Sequence, residues 1–226
     1  SEATTNFVEE DVTTSNGTLS VFSGSGTSYT ATFTANDGVV GNGSVTVPAG
    51  SYTDAAGNSG ASGTDTVGID TQNPTVIVNI VDASLNDGDN TSSVTFTFSE
   101  ATTNFVEGDV TTSNGSLSAF SGSGTSYTAT FTANDGITGI GSVTVTAGSY
   151  TDAAGNSGAS NSDTVSIDTR NPTVTINQAN GQSDPANVSP IHFTVVFSES
   201  VTGFGSNDVT LGGTASATTV NVSGSG

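Results

Sequence analysis

Ser126-Tyr127-Thr128-Ala129-Thr130-Phe131-Thr132 is the stretch that decides the fold. Tyr127, Ala129 and Phe131 take every second position, and Thr fills the places between. A strand turns successive side chains to opposite faces, so this spacing gives one apolar face and one hydroxyl face. Thr is β-branched and suits the exposed side of a pleated surface. The alternation recurs on both sides. Upstream, Val76, Val78 and Ile80 alternate with Ile77 and Asn79, and Val94, Phe96 and Phe98 alternate with Thr95 and Thr97. Downstream, Val143, Val145 and Ala147 alternate with Thr144 and Thr146, and Val165 and Ile167 with Thr164, Ser166 and Asp168. Two more strands are expected, one near 102–112 with Phe105 and Val110 inward, and one marked by Leu117 and Phe120. The segment Phe105 to Val110 has room for one short helical turn. Clusters of Gly, Asn, Asp and Ser separate the segments, and no helical periodicity persists.

These strands belong to a repeating unit. Residues 1–71 align without gaps onto 99–169, and 61 of the 71 positions are identical. A third, diverged copy follows: Asn73-Pro74-Thr75-Val76 returns as Asn171-Pro172-Thr173-Val174, and Phe98-Ser99-Glu100 as Phe197-Ser198-Glu199. The expected organisation is a partial repeat at 1–71 lacking its first strands, a complete repeat at 72–170, and a partial, diverged repeat at 171–226 lacking its last strands. About seven strands in about 98 residues, each with one apolar face, predict an all-β fold of tandem immunoglobulin-like antiparallel sandwiches. No disulfide can form, because the chain has no Cys. Incomplete repeats would expose core and open sheet edges. The chain is therefore expected to be a segment of a longer repetitive protein. The rival expectation is that the broken ends complete each other between subunits, although the two partial copies overlap across the region equivalent to 99–124.

Ser99-Glu100-Ala101, Asp109-Val110-Thr111, Tyr127-Thr128-Ala129-Thr130, Thr151-Asp152-Ala153-Ala154-Gly155-Asn156, and Ile167-Asp168-Thr169 before Asn171-Pro172-Thr173-Val174 carry a resemblance. In these motifs the chain resembles the bacterial immunoglobulin-like repeats of large secreted adhesins and biofilm-associated surface proteins. The resemblance implies an extracellular or cell-surface location, a tandem rod, and calcium at the joints between modules.

The chain carries 21 acidic residues against one Arg and no Lys, a formal charge of −20. Most acids sit in expected turns, where Asp and Asn cap local backbone. Strand parity places them further. With seven alternating strands, Asp135 and Asp168 leave one pole of a repeat, while Glu100, Asp152 and Asn156 lie at the other. At the joint between the first and second repeats, Asp37 and Asp70 should face Glu100, Asp152 and Asn156. The next joint would bring Asp135 and Asp168 to Glu199. Carboxylates that converge without a cation repel one another, and Ca²⁺ takes six to eight oxygens from such groups. Calcium at the joints is the expected cofactor.

The same composition excludes other functions. One Arg cannot neutralise a phosphate backbone or an anionic membrane surface, and no apolar run approaches 18 residues, so no nucleic acid and no membrane insertion are expected. The single His192 lies in an expected strand and cannot build a Ser-His-Asp site or a zinc centre. Paired carboxylates could cleave glycosides, but these acids lie in repeats with no Trp to form a sugar platform. No enzyme is expected. The expected role is a structural rod segment of a bacterial extracellular adhesin or surface filament, stiffened by calcium. Its partners are neighbouring repeats of the same long chain, with other copies in a filament and glycan as further ones. The alternative is a glycan- or surface-binding module of a secreted protein.

Overall fold

A computed structural model describes residues 2–224. In the first repeat the strands are β1 (Thr13–Ser15), β2 (Gly17–Ser25), β3 (Ser28–Ala35), β4 (Val40–Val47) and β5 (Gly63–Asp70). The second holds β6 (Val76–Ile80), β7 (Ser84–Asn86), β8 (Thr91–Thr102), β9 (Val110–Ser113), β10 (Gly115–Ala133), β11 (Thr138–Val145) and β12 (Asn161–Asp168). The third holds β13 (Val174–Gln178) and β14 (Phe193–Phe197). One turn of 3-10 helix stands at the same place in each copy, at Glu9–Asp11, Glu107–Asp109 and Ser206–Asp208. In each, the third residue's carboxylate accepts from a backbone N–H three residues back, as Asp109 Oδ2 does from Val106 at 2.8 Å. That bond makes the short helical turn a local property of the sequence.

The second repeat is a sandwich of two sheets, ordered β10-β8-β6 and β7-β12-β11-β9. Strand alternation predicts this directly: β6 buries Val76, Val78 and Ile80 and exposes Ile77 and Asn79. Its core also takes Phe96, Phe98, Phe105, Tyr127, Phe131, Val143, Val145, Tyr150, Val165 and Ile167. Three features depart from the expected strand list, one being that the strands marked by Leu117 and Phe120 and by Tyr127, Ala129 and Phe131 run as one, β10. The first strand is split, with β6 in one sheet and β7 crossing to pair parallel with β12 through Leu85 and Ile167. Phe105 is a core residue held by a loop rather than a strand, in edge-to-face contact with Phe98 at 4.8 Å and Tyr127 at 5.1 Å. Burying Phe at these rings adds specific aromatic contact to area burial.

The flanking repeats share this sequence logic but not this core. In the first, β1-β4-β5 form one sheet and β2-β3 another. In the third, β13 and β14 pair alone in the register of β6 and β8, Val174 against Phe197 where Val76 meets Phe98. Val67 is 52% exposed, whereas Val165 at the equivalent position is 1% exposed.

Candidate metal centre at the first joint

The site begins with a loop that folds on its own terms. Thr53–Ser59 and Thr151–Ser157 have the same sequence and close through the same antiparallel bridge. Asp152 Oδ1 accepts from the backbone N–H groups of Gly155 at 2.7 Å and Asn156 at 2.9 Å, and its Oδ2 accepts from Asn156 Nδ2 at 2.8 Å. Asp54 makes the same two bonds with Asn58 and takes a third from Ala56 N–H, one residue earlier than Gly155 in the other loop. The loop is then fixed to its repeat from both sides. Thr151 N–H donates to Asn104 Oδ1 at 2.8 Å. The Tyr150 hydroxyl donates to the carbonyls of Ala159 at 2.9 Å and Pro74 at 3.2 Å.

Pro74 belongs to the linker, so Tyr150 ties the loop to the strand exit of the previous repeat. The ring is fully buried against Phe98 at 4.9 Å. Gly158 lies flat on it, where a Cβ would come within 2.1 Å of the ring. Sequence reasoning gave Tyr150 and Gly158 no role. Only the repeated pair Tyr52 and Tyr150, each eight residues before a Gly, could have marked them.

At this joint the structure brings Asp70, Glu100 and Asp152 together, one carboxylate oxygen of each lying within 4.8 Å of the others. Among the described residues they form the one such acidic group. Asp70 ends β5, Glu100 lies in β8, and Asp152 is buried in the loop after β11. Asn156 bridges them: its Nδ2 reaches Asp70 Oδ1 at 3.3 Å and the Asp70 carbonyl at 3.2 Å besides Asp152. Burial pushes the Glu100 carboxyl above the usual range, and the charges of Asp152 and Asp70 push it further. Burial also acts to raise Asp152, but the hydrogen bonds from Asn156, Gly155 and Ala154 outweigh it and hold that carboxyl below its ordinary value. Glu100 and Asp152 are thus pushed in opposite directions, as burial and crowding of carboxylates on one side and hydrogen bonds to the charged form on the other require.

The other expected residues stand apart. Asp37 is exposed and outside the group. The Thr71 hydroxyl donates to the Asn36 carbonyl at 2.8 Å and accepts from Val39 N–H at 3.0 Å, pinning that loop beside the strand exit while Asp37 stays in solvent. Asp135 is likewise exposed. Asp168 accepts from the Thr138 hydroxyl at 2.9 Å, and Glu199 keeps one buried oxygen, Oε1, with no hydrogen-bond partner. Among the described residues Asp135, Asp168 and Glu199 do not converge. His192 is exposed, and no helix of the described residues is long and apolar enough to cross a membrane.

The sequence model of a family described as Bacterial Ig-like domain matches residues 1–69 and again 70–167. No curated protein and no solved structure matches the chain.

Proposed function

The chain belongs to the bacterial Ig-like domain family, whose members are structural modules of surface proteins, and on that premise we propose that it is a rod segment of an extracellular adhesin or surface filament whose joints are stiffened by Ca²⁺. The observation that carries this reading is the convergence of Asp70 with Glu100 and Asp152 across the joint. A hard dication is the economical answer to three carboxylates in reach of one another. It offsets the burial and the repulsion that raise Glu100 and takes oxygens from both repeats at once. Asp70, Glu100 and Asp152 supply carboxylate oxygens. Half a turn of the Asn156 amide presents Oδ1 in place of Nδ2. The pre-folded Asp152 loop presents its ligands before any ion arrives, so little ordering accompanies binding. The role is mechanical: the ion sets the angle between neighbours, and a rod of such joints holds its far end away from the cell. No reaction is involved.

The test is calorimetry of the whole chain against calcium. Extracellular calcium modules bind at about 0.1–1 mM. A hundredfold excess over that affinity stabilises by about 2.7 kcal/mol, which for a module of this size raises Tm by about 10–20 °C. Asp70→Asn should remove most of that shift while leaving the chelated protein's Tm in place. A Tm that ignores calcium would defeat the proposal.

A further inference from the structure

Four strands carry the sheet edges of the complete repeat, β10 and β6 in one sheet and β7 and β9 in the other. An open edge presents unpaired N–H and C=O groups and invites a strand from another chain. β7 and β9 are only three and four residues long. β10 holds Ala119 at φ 52, away from the extended backbone that pairing needs. β6 is five extended residues with no such break, and it is the edge a second chain could best use.

That edge is closed by side chains. β6 pairs antiparallel with β8, Val78 opposite Phe96. Val81 N–H donates to the Ser93 carbonyl at 2.9 Å, and the Thr75 carbonyl accepts from Ser99 N–H at 2.9 Å. The odd-numbered residues thus turn their backbone groups toward β8, and Val76, Val78 and Ile80 turn theirs to the free side. Two of these three free-side amides are taken. Val78 N–H donates to Asn161 Oδ1 at 3.3 Å, and Ile80 N–H donates to Asp163 Oδ2 at 2.8 Å. Asn161 and Asp163 stand on β12 in the opposite sheet, on the face that carries Val165 and Ile167. Where those two fill the core, Asn161 and Asp163 reach across the seam between the sheets. Thr164 N–H holds the other carboxylate oxygen, Asp163 Oδ1, at 2.8 Å, which leaves Oδ2 for β6.

We propose that Asn161 and Asp163 are a lock on the β6 edge: they occupy the amides that a strand of a second copy would pair with, and so keep neighbouring chains from joining side by side. The strand they exclude is β6 itself. Two copies of it pair antiparallel about a two-fold axis at Val78, so each offers the other the same edge. In that pairing the Val78 N–H of one copy meets the Val78 carbonyl of the other, in the place that Asn161 Oδ1 now fills. Ile77 of one copy then lies opposite Asn79 of the other. A bond to an ionised acceptor is the stronger kind, so Asp163 carries most of the lock. The lock lies within one repeat and needs no calcium.

The first test needs no substitution. In the whole chain the Ile80 amide should exchange with deuterium as slowly as that of Val81, which is bonded to β8. Exchange at the rate of an exposed loop amide would overturn the lock. The chain has no Cys, so engineered thiols then report the pairing. Ile77 and Asn79 both lie in solvent. Ile77→Cys and Asn79→Cys chains, each also carrying Asp163→Ala, are mixed under mild oxidation. They should form the mixed dimer several-fold faster than the same pair with Asp163 in place. Opposite residues of a non-hydrogen-bonded pair are about 4.5 Å apart, within disulfide reach. The mixed dimer should therefore also outrun the Ile77→Cys homodimer, which is two residues out of register. Asp163→Asn keeps an acceptor oxygen and loses the charge, and it should hold the cross-link at the slow rate. A mixed dimer indifferent to Asp163→Ala, one no faster than the homodimer, or a fast cross-link with Asp163→Asn would each defeat the proposal, the last because repulsion would then guard the edge. Circular dichroism checks the fold of Asp163→Ala, and if that variant is unfolded the exchange rate of Ile80 in the unaltered chain decides.

Discussion

Asp54 and Asp152 show what one short stretch of sequence dictates and what it leaves to its neighbours. Both sit in the same loop with the same Asn partner four residues on. The bonds from Asn58, first its side chain and then its backbone N–H, hold the Asp54 carboxyl down to about 2 from an ordinary 3.8. A carboxyl depressed in the folded state stabilises the loop above its unfolded pKa of about 3.9, and that contribution is lost as pH falls through the folded value near 2. Asn58→Ala should therefore move the Asp54 titration midpoint upward toward 3.8, read by carboxyl carbon chemical shift. An unmoved midpoint would mean that the backbone N–H groups alone set it. Asp152 has the same local partners yet is buried, and it shares its surroundings with Glu100 and Asp70. The two residues differ in the burial of Asp152 and in the approach of Asp70 from the other side of the joint.

At the scale of the element, equivalent strands separate sequence from context. β5 and β12 differ at three of eight positions, and Val67 and Val165 share the same neighbours, Thr before and Ile two residues after. Val165 is covered by the opposite sheet, and Val67 has no such cover. Val165→Ala removes two buried carbons and leaves a cavity, a loss of about 2 kcal/mol. Val67→Ala should cost less than about 0.5 kcal/mol, as surface substitutions do. Denaturant unfolding of the two variants checks this, and equal losses would place a covering layer over Val67. The same comparison shows how far the sequence could be read. Period-two alternation revealed β6, β8, β11 and β12, because each has a dry face and a wet face. It could not reveal β7, whose three residues hold one inward side chain, Leu85, among turn formers. Phe105 was read correctly as inward but wrongly as strand, since a core position says nothing of the backbone that carries it. In the acidic group, strand parity was enough to bring Asp70 to Glu100, Asp152 and Asn156. It failed for Asp37, because parity assigns a loop to a pole without saying which way its side chains face, and Asp37 is exposed.

At the scale of the molecule, the charge of −20 has two consequences that a single measurement separates. Repulsion between repeats acts over the Debye length, about 30 Å at 0.01 M salt and about 3 Å at 1 M. Coordination acts only at the joint and fixes direction as well as distance. Spin labels at Ser25→Cys and Ser123→Cys occupy equivalent exposed strand positions, in β2 and β10, one repeat apart. In dilute, chelated protein their distance distribution should be broad and shift outward at low salt. Raising NaCl to about 1 M should reverse the outward shift through screening, yet leave the width, because screened charges still leave a single-segment hinge free to bend. Millimolar calcium should narrow the distribution at either salt, and Asp70→Asn should prevent the narrowing without altering the response to NaCl. If NaCl alone narrowed the distribution as far as calcium does, the stiffness would come from screening. The three carboxylates would then be a solvated anionic patch with no role in setting the joint.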